Sequence, residues 1–264
     1  MHCTNSMSII ATLSACLALT ATSFALPRGD EEKSERSEQP EGGIASATTC
    51  SAQKLIDSIG AVGDLMGASA ALDGENLLVG APWANNGAGS QSGKVIAFQL
   101  TPNGTWQQVP GPVPNNGQPG AFFGYGVGLS GDTAVIGATF HDNNEGAAYF
   151  FKRPQGGGWT QTQMVKPLGI VSGDYFGSSA AINETGDIAV IGAPYKDITD
   201  AQGTDIDAGE AYIYTRNPDG TWSLEASLWD TDPATRDPSS YFGHRVAISG
   251  EVAVISDRND GYYV

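Results

Sequence analysis

One pattern recurs four times along this 264-residue chain, and a repeat of that kind constrains the fold before any local reading does. The copies are "GDLMGASAALDGENLLVGAPW" (63–83), "AFFGYGVGLSGDTAVIGATF" (121–140), "DYFGSSAAINETGDIAVIGAPY" (174–195) and "SYFGHRVAISGEVAVISDRN" (240–259). From the leading glycines Gly67, Gly124, Gly177 and Gly243 to Gly80, Gly137, Gly192 and Ser256 the spacing is 13, 13, 15 and 13 residues. A second apolar run follows in each copy, "GKVIAF", "GAAYFF", "GEAYIY" and "GYYV". In three copies a tryptophan, Trp106, Trp159 or Trp222, stands 13 residues beyond that run's glycine. Constant counts inside segments with variable counts between them describe fixed strands joined by adjustable loops.

Each unit reads as four short strands. The first, "SAAL", "GVGL", "SAAI" or "RVAI", leads into a tight hairpin at Asp73-Gly74, Ser130-Gly131 or Ser249-Gly250, where glycine permits positive φ. The third copy carries the longer "NETGD" there. The second strand, "LLVGA", "AVIGA", "IAVIGA" or "VAVIS", is continuously apolar, as a strand covered on both faces must be. Pro82 and Pro194 end it in two copies. The aromatic run is the third strand. A turn at Asn103-Gly104, Gly157-Gly158 or Asp219-Gly220 then precedes a fourth strand that starts at the tryptophan. The expected fold class is therefore all-β, a β-propeller of four-stranded antiparallel blades stacked face to face. Glycine here serves packing and turns, because "GYGVG" opens a strand and lacks the spacing of a dinucleotide-binding loop.

The pattern resembles the FG-GAP repeats of the integrin α-subunit propeller and of many bacterial secreted proteins. The residues that carry the resemblance are Phe123-Gly124, Phe176-Gly177 and Phe242-Gly243, with Met66-Gly67 as a variant. Gly80-Ala81-Pro82 and Gly192-Ala193-Pro194 supply the second half of the motif, which diverges at Gly137-Ala138-Thr139 and Ser256-Asp257-Arg258. The integrin-like version often places a DxDxDG calcium loop at the first hairpin. Here that hairpin is cut to "LDGEN", "LSGDT" or "ISGEV", too short to wrap a cation, so the family's calcium sites do not carry over.

"QKLID" (53–57) reads as a fourth strand without its first three, while the last copy has strands one to three and stops at "GYYV". An N-terminal strand completing the last blade would close a four-bladed ring and leave no open edge. The alternative is a piece of a larger propeller.

Composition sets the surroundings. The formal charge is −16, with no basic cluster to displace counterions from phosphates, which argues against nucleic-acid binding. Residues 1–25 read as a signal peptide, an apolar stretch from Ile9 to Leu19 followed by Ser23 and Ala25 at a cleavage site. Residues 26–50 are polar, charged and free of aromatics, the composition of a disordered leader, and 51–264 form the repeat domain. Past the leader there is no apolar run long enough to span a membrane. The expected location is secreted, periplasmic or at the cell surface.

In a meander, alternate connections fall on alternate faces, so the long loops (83–92, 140–145, 195–208, and 110–123, 167–176, 230–242) share one face, where function is expected. Trp83, Phe140 and Tyr195 occupy equivalent positions there, as a partial ring for stacking a ligand or as plugs between blades. Asp197, Asp200, Asp205 and Asp207 crowd the third loop, either as oxygen ligands for calcium or as a solvated acidic loop. "HDNNEG" (141–146) is a weaker version of the same idea, and His244 and Arg245 break the repeat at one blade's start. No catalytic or zinc-binding constellation is present in sequence. The expected role is a non-enzymatic binding or adhesion module for a carbohydrate or protein partner. The alternatives are an extracellular carbohydrate lyase or hydrolase using carboxylates such as Asp197 or Glu145, and a structural module of a larger surface protein.

Overall fold

Strands that are apolar on both sides need cover on both sides, and this fold supplies it by stacking sheets. The computed structural model describes residues 7–9, 52–200, 203–231 and 238–258. The rest of the stretch read as a signal peptide, the leader, and the "GYYV" strand lie outside the described residues.

Three four-stranded antiparallel meanders follow one another. The first comprises Ser69–Asp73, Asn76–Ala81, Lys94–Leu100 and Trp106–Val109. The second comprises Phe123–Ser130, Thr133–Ala138, Ala147–Lys152 and Thr160–Val165. The third comprises Ser179–Ile182, Ile188–Ala193, Glu210–Arg216 and Trp222–Leu228. The fourth copy contributes a two-stranded hairpin, Arg245–Ser249 with Val252–Ser256. The described helix content is one turn, His141–Asn144, in which Asp142, Asn143 and Asn144 have φ of 50°, 57° and 71°. Asp and Asn tolerate that left-handed backbone better than most residues.

The second strands lie between neighbouring sheets. Val135 and Val190 are fully buried, whereas Val254 at the equivalent place in the terminal hairpin is 66% exposed, since no described sheet covers that side. The hairpin glycines behave as expected, with Gly74, Gly131 and Gly250 at φ of 54°, 54° and 56°. In the second unit's other turn, however, Gly156 takes the positive φ of 71°, in place of the expected Gly157-Gly158.

The conserved spacing of the glycines has a steric cause that lies between units. A Cβ on Gly137 would stand 1.8 Å from the carbonyl oxygen of Gly177, the leading glycine of the next unit. The same conflict arises between Gly80 and Gly124 O and between Gly192 and Gly243 O, each at 2.0 Å. Ser69 Oγ and Ser179 Oγ donate to those same carbonyls of Gly124 and Gly243, both at 2.7 Å. The phenylalanine before each leading glycine forms a parallel bridge with the glycine that opens the preceding unit's third strand: Phe123 with Gly93, Phe176 with Gly146, Phe242 with Gly209. Each joint is thus a backbone-to-backbone approach that any side chain would hold open.

Gln53–Leu55 sits against the first sheet as the second sheet's last strand sits against the third. Gln53 exchanges two hydrogen bonds with the backbone of Trp106, both 2.8 Å, and Gln163 does the same with Trp222, at 2.9 and 2.7 Å. The described ladder partner of Gln53–Leu55 is Met7–Ile9, antiparallel to it. The third strand of the fourth copy, which the closed ring would place beside Gln53–Leu55, lies outside the described residues.

Candidate binding face

The face carrying the long loops is built around an arc of aromatic rings. Trp83, Phe140 and Tyr195 follow the second strands of the three sheets. Between them the next unit inserts Phe122, Tyr175 and Tyr241, each two residues before its leading glycine. The centroid separations run Trp83–Phe122 4.8 Å, Phe122–Phe140 4.5 Å, Phe140–Tyr175 5.0 Å, Tyr175–Tyr195 5.0 Å and Tyr195–Tyr241 4.8 Å. All six rings are half-buried, so they fill the joints and still present an edge or face outward.

The inserted three carry an unusual backbone. Phe122, Tyr175 and Tyr241 have φ of 53°, 55° and 62°, a left-handed conformation that costs a bulky residue roughly 1–2 kcal/mol. It is held by the amides, which donate to the preceding loop: Phe122 N–H to Gln91 O at 3.2 Å, Tyr175 N–H to Asn144 O at 3.1 Å and Tyr241 N–H to Asp207 O at 3.1 Å. Leu65 takes the same conformation in the first copy without an aromatic ring. Sequence reasoning found one member of each ring pair and missed its partner, although "FFG", "YFG" and "YFG" stand in the repeat at that position.

Two contiguous cavities lie inside the arc and share Tyr125 and Ser178. The larger, about 350 Å³, is bounded by the first strands of all four copies, with Ser69, Trp83, Tyr125, Ser179 and Arg245 in its wall. The smaller, about 210 Å³, lies under Thr139, Phe140, Tyr175 and Tyr195.

The acidic candidates are arranged differently. Asp197 Oδ1 accepts the Asp207 N–H at 3.0 Å, and Asp205 sits on a small hairpin, Ile198–Asp200 with Gly203–Asp205. Asp200 belongs to that hairpin by its backbone. Burial, then repulsion from Asp197, raises the Asp207 carboxyl above its ordinary pKa. Burial likewise raises Asp174, whose Oδ2 lies 3.5 Å from Lys196 Nζ. Among the described residues no three His, Cys, Asp or Glu side chains converge as a metal site requires.

Glu145 is occupied by Lys166, whose Nζ reaches Glu145 Oε2 at 2.6 Å and Asp142 Oδ2 at 2.9 Å. Hydrogen bonds from Lys166 and then Gln118 lower Asp142 to about 2. A depressed carboxylate stabilises the fold above its unfolded pKa, near 3.8, and loses that contribution as pH falls toward 2. Lys166→Met should therefore destabilise the protein at pH 7, by about 1 kcal/mol or less because Asp142 is 39% exposed. In urea titrations at pH 7, 4 and 2.5 the difference from wild type should shrink as the pH drops. A difference that holds constant with pH would assign the loss to another cause.

His244 lies beside Arg245 with its pKa lowered by burial and then by the charges of Arg245 and Arg258. Among the described residues no helix is long and apolar enough to cross a membrane.

Comparison with known proteins follows the same division into units. The family model described as FG-GAP repeat matches at residues 51–98, 106–151 and 159–214. Among solved structures, a protein from Lactobacillus plantarum is similar over 60% of this chain at 9% identity with a TM-score of 0.36; the match spans 40% of that protein's length. No curated protein matches the chain. Three consecutive matches take in more than half of the sequence, each spanning the first three strands of one sheet and the second and third also the last strand of the sheet before, and the chain belongs to the FG-GAP repeat family.

Proposed function

We propose that this chain is a secreted binding module of the β-propeller type, without chemistry of its own, that takes a carbohydrate or protein partner on the loop-bearing face. The aromatic arc carries the reading. Six half-buried rings follow one another on this face, Trp83 lining the larger cavity and Phe140, Tyr175 and Tyr195 the smaller, and aromatic walls with a few polar groups are the usual lining of a recognition site. The small exposed ends of Trp83 and Tyr195 suit stacking against a sugar face or a peptide side chain.

The carboxylates give a hydrolase or lyase less support. Glu145 is neutralised by Lys166, and Asp197 is engaged with a backbone amide. Calcium remains an accessory in this proposal, through the acidic third loop alone.

The test is binding to an array of glycans and matrix proteins, in calcium and in EDTA, with Trp83→Ala beside wild type. Saturable binding should weaken by roughly thirtyfold in the variant, the effect of truncating an aromatic anchor. Silence on every spot in both conditions would remove the binding role.

A further inference from the structure

The wall of the larger cavity runs against the acidic balance of the chain. The chain carries 29 acidic and 13 basic residues, yet no Asp or Glu lines this cavity and one arginine does. Arg245 stands where the other copies have Ser69, Gly126 and Ser179, so the charge is peculiar to one unit. Four lysines are neutralised by carboxylates: Lys94 by Asp57, Lys152 by Asp132, Lys166 by Asp142 and Glu145, and Lys196 by Asp174. Arg245 has no such partner among the described residues. Its Nη1 donates to the His244 carbonyl at 2.9 Å, and the remaining donors of its fork have no partner among the described residues.

The other polar groups in the wall add to the bias. Ser69 and Ser179 spend their hydroxyls on the carbonyls of Gly124 and Gly243, and Ser178 donates to Tyr175 O at 2.6 Å. The Tyr125 hydroxyl has no hydrogen-bond partner among the described residues, and the ring of Trp83 borders the opening. What the cavity offers a guest is therefore an open guanidinium, a phenol and an indole face.

Resting on the binding-face reading above, we infer that this cavity is a subsite for an acidic sugar, with Arg245 gripping the carboxylate of a uronate residue. A guanidinium pairs a carboxylate through two parallel, charge-assisted hydrogen bonds, and a neutral sugar lacks the charge that strengthens them. Trp83 supplies a flat apolar surface for the pyranose ring, and Tyr125 supplies a hydroxyl for its oxygens. An acidic peptide could satisfy the arginine but has less use for a flat indole beside it.

Calorimetric titration of the full chain with glucuronate, glucose and N-acetyl-glutamate amide separates the cases. Glucuronate should bind at least about tenfold more tightly than glucose. Arg245→Gln should abolish that preference, lowering glucuronate affinity by more than any change in glucose affinity. Added salt should weaken glucuronate and leave glucose unaffected, a check on wild type that does not depend on the variant folding. Equal affinity for glucuronate and glucose, or an unchanged preference in Arg245→Gln, would overturn the subsite and leave the binding face intact. Tighter binding of the glutamate amide would overturn it in favour of a peptide. If glucuronate fails to bind while the array gives saturable binding elsewhere, this inference falls alone; if both are silent, both fall.

Discussion

Gly137→Ala should be among the most damaging single substitutions in this protein, although it adds one methyl group to a residue with ordinary backbone angles. The added Cβ would sit 1.8 Å from the Gly177 carbonyl oxygen, with the Gly177 carbonyl carbon and Cα also within 3 Å. All of these are backbone atoms of a residue whose N–H is bonded to Gly192 O at 3.0 Å, so no side chain can swing aside. The second and third sheets must separate, which opens a core containing Val135, Phe150, Phe176 and Ile191. We expect a loss of about 3 kcal/mol or more, the upper range for overpacking, and a fall in melting temperature of roughly 10 °C. Gly158→Ala is the matched control, since nothing lies within 4 Å of its Cβ position and its φ is not left-handed. Thermal melts of both variants check the claim. If the two behave alike, the joint is more pliable than its geometry implies.

Phe176→Ala attacks the same joint from its apolar side. The ring is fully buried, edge-on to Tyr212 at 5.4 Å, while its amide donates to Glu145 O at 2.9 Å. Alanine keeps the backbone bond and removes the ring, so the loss measures packing alone. Truncating a buried phenylalanine costs about 3–5 kcal/mol, and urea denaturation should show a shift of that size. Phe176→Met should cost no more than about 1.5 kcal/mol, because the first copy already places Met66 at the equivalent position. A small effect from the alanine variant would mean that the glycine contacts hold the sheets together without help from the ring.

These two variants separate what can be read along a chain from what cannot. Strand positions were legible because the pattern repeats: four runs at fixed spacing gave the meander, and the three complete sheets follow it. The role of Gln53 was partly legible, since "QKLID" resembled a last strand, but the hydrogen bonds to Trp106 that fix it depend on a neighbour 53 residues away. The contact of Gly137 with Gly177 was not legible at all. A glycine signals a turn or a close approach, and only the fold says which backbone approaches. Trp83, Phe140 and Tyr195 were found by equivalence, whereas Phe122, Tyr175 and Tyr241 were hidden by a left-handed backbone that sequence does not favour for aromatic residues. Glu145 illustrates the opposite error. Its loop suggested an available carboxylate, and Lys166, from the following fourth strand's end, occupies it. Arg245 did announce itself by breaking the repeat, but its meaning depended on seeing that no acid shares its cavity.

The glycine joint also bears on how such a chain can grow. The second and third units each begin with the half that docks, Phe-Gly, and carry further on the half that receives, the glycines at the end of the second strand and the start of the third. A tandem duplication of one unit therefore copies both halves together, and the new sheet arrives with a working connection to its neighbour. Because the connection is made by main chain, the loops on the outer face are under no obligation to match one another. Trp83, Phe140 and Tyr195 could diverge, and Arg245 could appear in a single copy, without disturbing the contact that stacks the sheets.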